Sequence, residues 1–427
     1  MSLLLLLLSL VVFLLLGIPI AFSLGLSALV YFVCVRPELT VILPQRLFAG
    51  MDSYALIALP LFILMGQLMN ASGITTQLIN FCMIFVGRLR GGLGLVNVAA
   101  SMLFGGISGS SASDTASIGS ILIPEMEQRG YPKTFAAGIT VASSTMGMII
   151  PPSIPMVIYA VTAQESVGKL FLGGLIPGLL VGIIQLLLVY WIARKRAYPK
   201  EETERFGKSL PRELRNSIYV LAMPVFVVGT VVGGVATATE SAGLGVAYAT
   251  VIGFFVTRNL TIQAFWEALQ SAALTSAKIM LIIAFSQVFI WVLAYERVPA
   301  NVADFVTQLG LSPTMMMLLI TTIVLAAGTF IDVSPAILLL TPVFLPAATK
   351  AGISPILFGV VLVSGLAVGA CTPPVGNCLN VCSAVSGLKI GVIFRGAFLF
   401  LLANVVVLFL IVLLPQLVLG IPNLLMD

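Results

Sequence analysis

Two carboxylates lie where hydroxyl groups crowd together in an otherwise apolar chain. Asp114 sits in GGISGSSASDTASIGS (residues 105–120), with Ser108, Gly109, Ser110, Ser111, Ser113 and Thr115 around it. Asp332 sits in GTFIDVSPA (328–336), beside Gly328, Thr329 and Ser334. Hydroxyl and carbonyl oxygens with few formal charges suit a hard cation such as sodium better than a transition metal. A helix opening just after each stretch would also turn free N–H groups and a positive dipole end toward an anion. Two plainer readings stay open: small residues that let helices pack closely, and aspartates that cap helix N-termini.

Downstream of each stretch stands a proline pair. In GMIIPPS (147–153) Pro151 and Pro152 precede Ser153; in GACTPPVGN (369–377) Pro373 and Pro374 lie among Gly369, Cys371, Thr372, Gly376 and Asn377. Proline removes a backbone donor and frees a carbonyl. In an apolar medium such freed groups must be satisfied by protein, water or an ion. Two pairs inside runs otherwise long enough to span predict helix breaks rather than packed kinks.

The elements that must position these residues are membrane helices. Of 427 residues, 59% are hydrophobic and 9% charged, against about 25% charged in soluble domains. Many apolar runs approach the roughly 20 residues that cross a bilayer core, which makes this an all-α polytopic membrane protein. The net charge of +5 is no sign of nucleic acid, since eight of the 21 Lys and Arg residues fall between Arg194 and Arg215 with four glutamates. A short basic loop stays cytoplasmic, so residues 194–215 read as a solvated cytoplasmic linker. The Leu3–Leu8 run lacks a basic flank and a small-residue cleavage site before Arg36, and is expected to be a retained span. The chain has no histidine. That excludes imidazole metal centres, Ser-His-Asp catalysis and histidine proton relays, and with no convincing Ser–Lys pair it argues against an intramembrane enzyme. Cys34, Cys82, Cys371, Cys378 and Cys382 lie in apolar surroundings without metal-ligand spacing, and read as buried small hydrophobes.

Slid against itself, the chain repeats. IPEMEQRG (123–130) lies over LPAATKAG (345–352) and GMIIPPS over GACTPPV, both at an offset of 222 residues (373 − 151). Only six of 38 positions in 123–160 are identical, but five of them are Gly or Pro. Backbone punctuation shared at one register predicts repeats over 1–193 and 216–427. Each holds a helical hairpin (about 92–130 and 313–351) and a broken helix (about 133–163 and 354–386). Residues 1–35 and 396–426 carry no charge, whereas the basic linker joins the halves. This predicts inverted topology with both termini outside, a pointer to secondary transporters; parallel repeats are the alternative. The mixed polarity of 39–52 and 260–274 predicts interfacial amphipathic helices, arms joining a mobile unit to a scaffold. TATES (236–240) predicts helix-start capping at Glu240, and Lys278, Glu296, Arg297 and Asp304 are expected at interfaces, where long side chains snorkel.

GIPIAFSLGLSALVY, GGISGSSASDTASIG, MGMIIPPSIPMVIYA, TATESAGLGVAYA, GTFIDVSPAILLLTPVFLPAA and GACTPPVGNCLNV together resemble the large membrane subunit (M subunit) of tripartite ATP-independent periplasmic (TRAP) transporters. They cover essentially the whole chain in the expected order. TATES departs from the family's more usual Pro before Thr-Glu, at a helix start rather than in the polar stretches. The resemblance implies an elevator-type transporter of the bacterial inner membrane that couples sodium (Na+) to uptake of an organic acid, such as sialic acid, another sugar acid or a C4-dicarboxylate, with no prosthetic group. It also implies a small membrane subunit of about four spans and a soluble periplasmic substrate-binding protein. By likeness to divalent-anion/sodium symporters, the serine-rich tip and IIPPS would form one sodium site, and FIDVS and CTPPVGN the other, with substrate between. Sodium ligands would include Ser110, Ser113, Thr372, Gly369 and nearby carbonyls. A stand-alone anion/sodium symporter or an anion channel of related fold is the competing reading.

Overall fold

A computed structural model of the protein describes residues 2–198, 210–308 and 310–426. Every regular element among them is helical. Eight of these helices are long and apolar enough to cross a bilayer, which makes the protein multi-pass. Half of the linker expected at 194–215 (199–209) lies outside the described residues. The helix entering it, Val167–Lys195, ends in Arg194 and Lys195, cations placed at the negative end of the helix dipole.

Helix boundaries recur at the offset seen in the sequence. Helices Gly92–Ser108 and Pro313–Phe330 end at 108 and 330; Ser111–Gln128 and Val333–Lys350 run from 111 and 333 to 128 and 350. The next helices open at 133 and 355. Each of these pairs differs by 222. The first hairpin turns at Gly109, whose φ of +61° favours a residue without Cβ. The second turns at Ile331-Asp332 with no left-handed residue.

Each hairpin is followed by a helix that breaks. Lys133–Ser144 and the short Met146–Ile149 stop before Pro151, and Ile154–Ala163 resumes after it. Pro355–Gly369 stops before Pro373, and Asn377–Ser386 resumes. Both Pro–Pro peptide bonds are cis. These broken helices form the centre of the molecule. In Lys133–Ala163, 78% of the most apolar window is buried, against 33 to 50% in the other seven spans, and Pro355–Gly369 is buried from Ile356 onward. Backbones approach closely there: a Cβ on Gly138 would meet the Gly396 carbonyl carbon at 2.3 Å, joining Lys133–Ser144 to Ile390–Leu413. Buried hydroxyls and amides bond across the same centre. Asn97 donates to Thr140 (2.8 Å), Ser101 and Ser143 share a bond of 2.8 Å, and Gln185 donates to Asn404 (2.8 Å).

Three expectations need correction. The N-terminal span is two short helices, Ser2–Leu15 and Ile20–Val35, because Gly17 takes φ +78° and Pro19 cannot continue a helix. The segment 260–274 is not a separate interfacial helix. It opens the 34-residue helix Ile262–Tyr295, since nothing in IQAFWEALQSAALTSAKIM breaks a helix, whereas its counterpart Ile42–Met51 ends at Asp52 and the extended Ser53. Cys34 is exposed, while the other four cysteines are buried. At TATES the Thr237 hydroxyl accepts from Glu240 N (3.3 Å) and the Glu240 carboxylate from Thr237 N (2.8 Å), a capping box opening Ala238–Val251.

Candidate functional site

The first tip is built inward. Asp114 lies in the first turn of Ser111–Gln128 and is fully buried. One of its oxygens, Oδ1, accepts from the Ser108 hydroxyl across the turn. The other, Oδ2, has no hydrogen-bond partner. A methyl on Gly147, at the first break, would come within 2.5 Å of that oxygen. A buried carboxylate with one oxygen unmatched is costly, and a hard cation at Oδ2 would supply the missing partner. Ser111 bonds to Cys378 at the second break (3.0 Å), and Thr115 donates to the Ser111 carbonyl (2.9 Å), so neither hydroxyl is free. Ser153 caps Ile154–Ala163 by accepting from Met156 N (3.3 Å), while its hydroxyl donates to the Met148 carbonyl across Pro151-Pro152. The tip touches that break: a Cβ on Gly109 would lie 3.0 Å from the Pro152 carbonyl oxygen.

The second tip is built differently. Asp332 is exposed and caps Val333–Lys350, accepting from Val333 N (3.0 Å) and, at 3.4 Å, from Asn377 Nδ2. Of the two readings open for these aspartates, capping therefore holds at Asp332 and not at Asp114. Val375 N donates to the Thr329 carbonyl (3.1 Å), fastening this tip to the second break. Gly328 and Gly369 meet backbone to backbone: a Cβ on Gly369 would lie 2.6 Å from the Gly328 backbone. Gly376, with φ +49°, opens Asn377–Ser386. The Thr372 hydroxyl bonds within its own helix, to the Val368 carbonyl (2.9 Å), and Cys371 points at the Val141 carbonyl (3.4 Å).

A cavity of about 330 Å³ brings the two tips together. Residues 108–113 wall it on one side; Asp332, Val333, Ser334, Ala370 and Asn377 wall it on another. Ser110 and Ser113 face this space, whereas Thr372 and Gly369 are engaged with their own helix and with Gly328. A third wall is the middle of Ile262–Tyr295, which presents Thr275 and Lys278. Lys278 stands 16 residues from the start of that helix and 17 from its end, and lines the cavity. Gln67, from Ala58–Ala71, also lines the cavity and carries no signal in the sequence, because spacing along one helix does not say which neighbour it fronts.

Residues 7–417 match the family model described as the tripartite ATP-independent periplasmic transporter, DctM component. The chain is 38% identical over 401 residues to the C4-dicarboxylate TRAP transporter large permease protein DctM of Pseudomonas aeruginosa, covering 94% of each chain. It is 37% identical to the sialic acid large permease SiaM of Vibrio cholerae, covering 96% of this chain and 95% of that one. The isethionate permease protein DctMQ of Oleidesulfovibrio alaskensis is 39% identical over 88% of this chain, which spans 60% of that longer protein. The fold is similar to the crystal structure of the YdaH transporter of Alcanivorax borkumensis, with a TM-score of 0.63 at 14% identity over 90% of this chain and 89% of that one. From a match over nearly its whole length, the chain belongs to the tripartite ATP-independent periplasmic transporter family, as its DctM component, the large permease.

Proposed function

We propose that the chain is the permease of a sodium-driven uptake system for an organic acid, set in the bacterial inner membrane. Its partners are a small membrane subunit of about four spans and a periplasmic binding protein that delivers the substrate. The observation that carries this reading is the cavity shared by both tips, with the unmatched Asp114 carboxylate behind the first. Its size lies at the lower end of small-molecule sites, about 300–1,000 Å³. The helices Ser111–Gln128, Val333–Lys350 and Asn377–Ser386 all open at this cavity, and their N-termini favour an anionic group. Relatives named for isethionate, C4-dicarboxylate and sialic acid suggest a substrate with a carboxylate or sulfonate. Oxygen donors beside Asp114 support sodium as the second cargo, in keeping with hard-cation chemistry. The recurrence of helix boundaries at 222 supports two repeats, 1–193 and 216–427, which in this reading are inverted, with both termini periplasmic and the linker cytoplasmic. Hairpins and broken helices would move together against a scaffold containing Ile262–Tyr295, an elevator.

The test is uptake by the complete three-part system in proteoliposomes. Accumulation of an organic acid is expected under an inward sodium gradient and not under an equal potassium gradient. Equal uptake in both would overturn the coupling, and flux without the binding protein beyond stoichiometric turnover would mark a channel.

A further inference from the structure

The cavity between the tips has two charged side chains in its lining, Asp332 and Lys278. They are not alike. Asp332 is already engaged, capping its own helix and accepting from Asn377. Lys278 makes no hydrogen bond or ion pair among the described residues, and Asp304, the aspartate of a nearby surface pair, is bonded to Lys350. The helix that carries Lys278 is about 51 Å long at 1.5 Å per residue. It exceeds a hydrocarbon core of about 30 Å, and Lys278 stands in its middle, 16 residues from one end and 17 from the other. A charge within a membrane-spanning helix is expensive unless it faces a partner or a water-filled cavity. Lys278 faces the cavity between the tips and has no hydrogen-bond or ion-pair partner among the described residues.

We infer that Lys278 is the positive charge that engages the carboxylate or sulfonate of the substrate in this cavity. This deepens the functional reading above and rests on it. The lysine comes from a helix outside both hairpins, so it completes a site whose other walls are the hydroxyls of Ser110 and Ser113, Ser334, and the amide of Asn377. A neutral side chain at 278 would leave helix N-termini and hydroxyls to hold the anion without a full charge. The arrangement also keeps like charges apart. Asp114, with its unmatched oxygen, lies behind the first tip and does not line the cavity, so a cation there would be separated from Lys278 by the tip itself.

The experiment has two arms, both on the full chain. In the first, Thr275→Cys is placed in the cavity wall in a Cys34→Ser background, the other four cysteines being buried. The modification rates of the introduced thiol by anionic sulfonatoethyl and cationic trimethylammonioethyl methanethiosulfonate are compared. Lys278→Met should lower the anion-to-cation rate ratio about tenfold, since a focused charge raises local counter-ion encounter by about that much or more, and Lys278→Arg should restore it. An unchanged ratio, or a Thr275→Cys protein inert to both reagents, overturns the inference. In the second arm, uptake of isethionate, succinate and N-acetylneuraminate is measured with the partner subunits present. For the anion transported, Lys278→Met should raise KM about tenfold, the equivalent of ~1.4 kcal/mol, with sodium dependence unchanged; an unaltered KM overturns the inference. If the wild type takes up no organic anion with or without sodium, the functional reading fails, and the labelling ratio still decides the role of Lys278.

Discussion

Asp114→Asn should abolish sodium-driven uptake, lowering it at least about a hundredfold while membrane yield and thermal stability stay near those of the wild type. Asparagine keeps the shape and the oxygen that accepts from the Ser108 hydroxyl, and puts an uncharged NH2 group in place of the unmatched carboxylate oxygen. If Oδ2 is unmatched because a cation completes it during transport, losing the charge removes a buried ionic contact. Breaking such a contact costs about 2–5 kcal/mol, and a hundredfold effect corresponds to ~2.7 kcal/mol. The variant should also lose the sodium concentration dependence of any residual uptake. Gly147→Ala should reproduce the defect in part, because its methyl would press within 2.5 Å of the same oxygen. If the serine-rich tip serves only close packing, Asp114→Asn will transport normally. Uptake rates at varied sodium, normalised to folded protein, separate the two outcomes.

Gly369→Ala is expected to be nearly as severe, for a different reason. Its methyl would lie 2.6 Å from the Gly328 backbone, which has no flexible end to swing away. The helix Pro313–Phe330 would have to separate from the second broken helix, and the Val375–Thr329 bond that fastens tip to break would be strained. Overpacking of this kind costs about 1–3 kcal/mol, and the displaced tip should lower uptake by at least about tenfold. Gly391→Ala is the control, since nothing lies within 4 Å of a Cβ there. Thermal unfolding and uptake of both variants test this, and a Gly369→Ala protein equal to the control in both would show that the contact is dispensable.

Much of the frame was legible because Gly and Pro act locally. The pairs Pro151-Pro152 and Pro373-Pro374 cannot continue a helix, and helices stop before both. Thr237 and Glu240 stand three residues apart at a helix start, and that spacing alone implies the bond they make. What escaped depends on neighbours far along the chain. Asp114 and Asp332 look equivalent in sequence, yet one is buried with an unmatched oxygen and the other caps a helix at the surface of a cavity. Lys278 reads in the sequence only as a long side chain expected at an interface. Its role follows from which helix it fronts, and that is settled by packing across about 50 to 170 residues of intervening chain between it and the two tips. The mixed polarity of 260–274 was misleading in the other direction, because polarity says where a helix is wet and only a breaker says where it ends.

The central claim is that the substrate binds between the two tips. A cryo-electron microscopy map of the complete transporter, prepared in sodium with a transported organic anion, tests it most directly. Density for the anion is expected in the cavity bounded by Ser110, Ser334 and Lys278, with a cation beside Asp114. Anion density elsewhere, for instance in the cavity between Thr162 and Pro346, with the space between the tips empty, would contradict it.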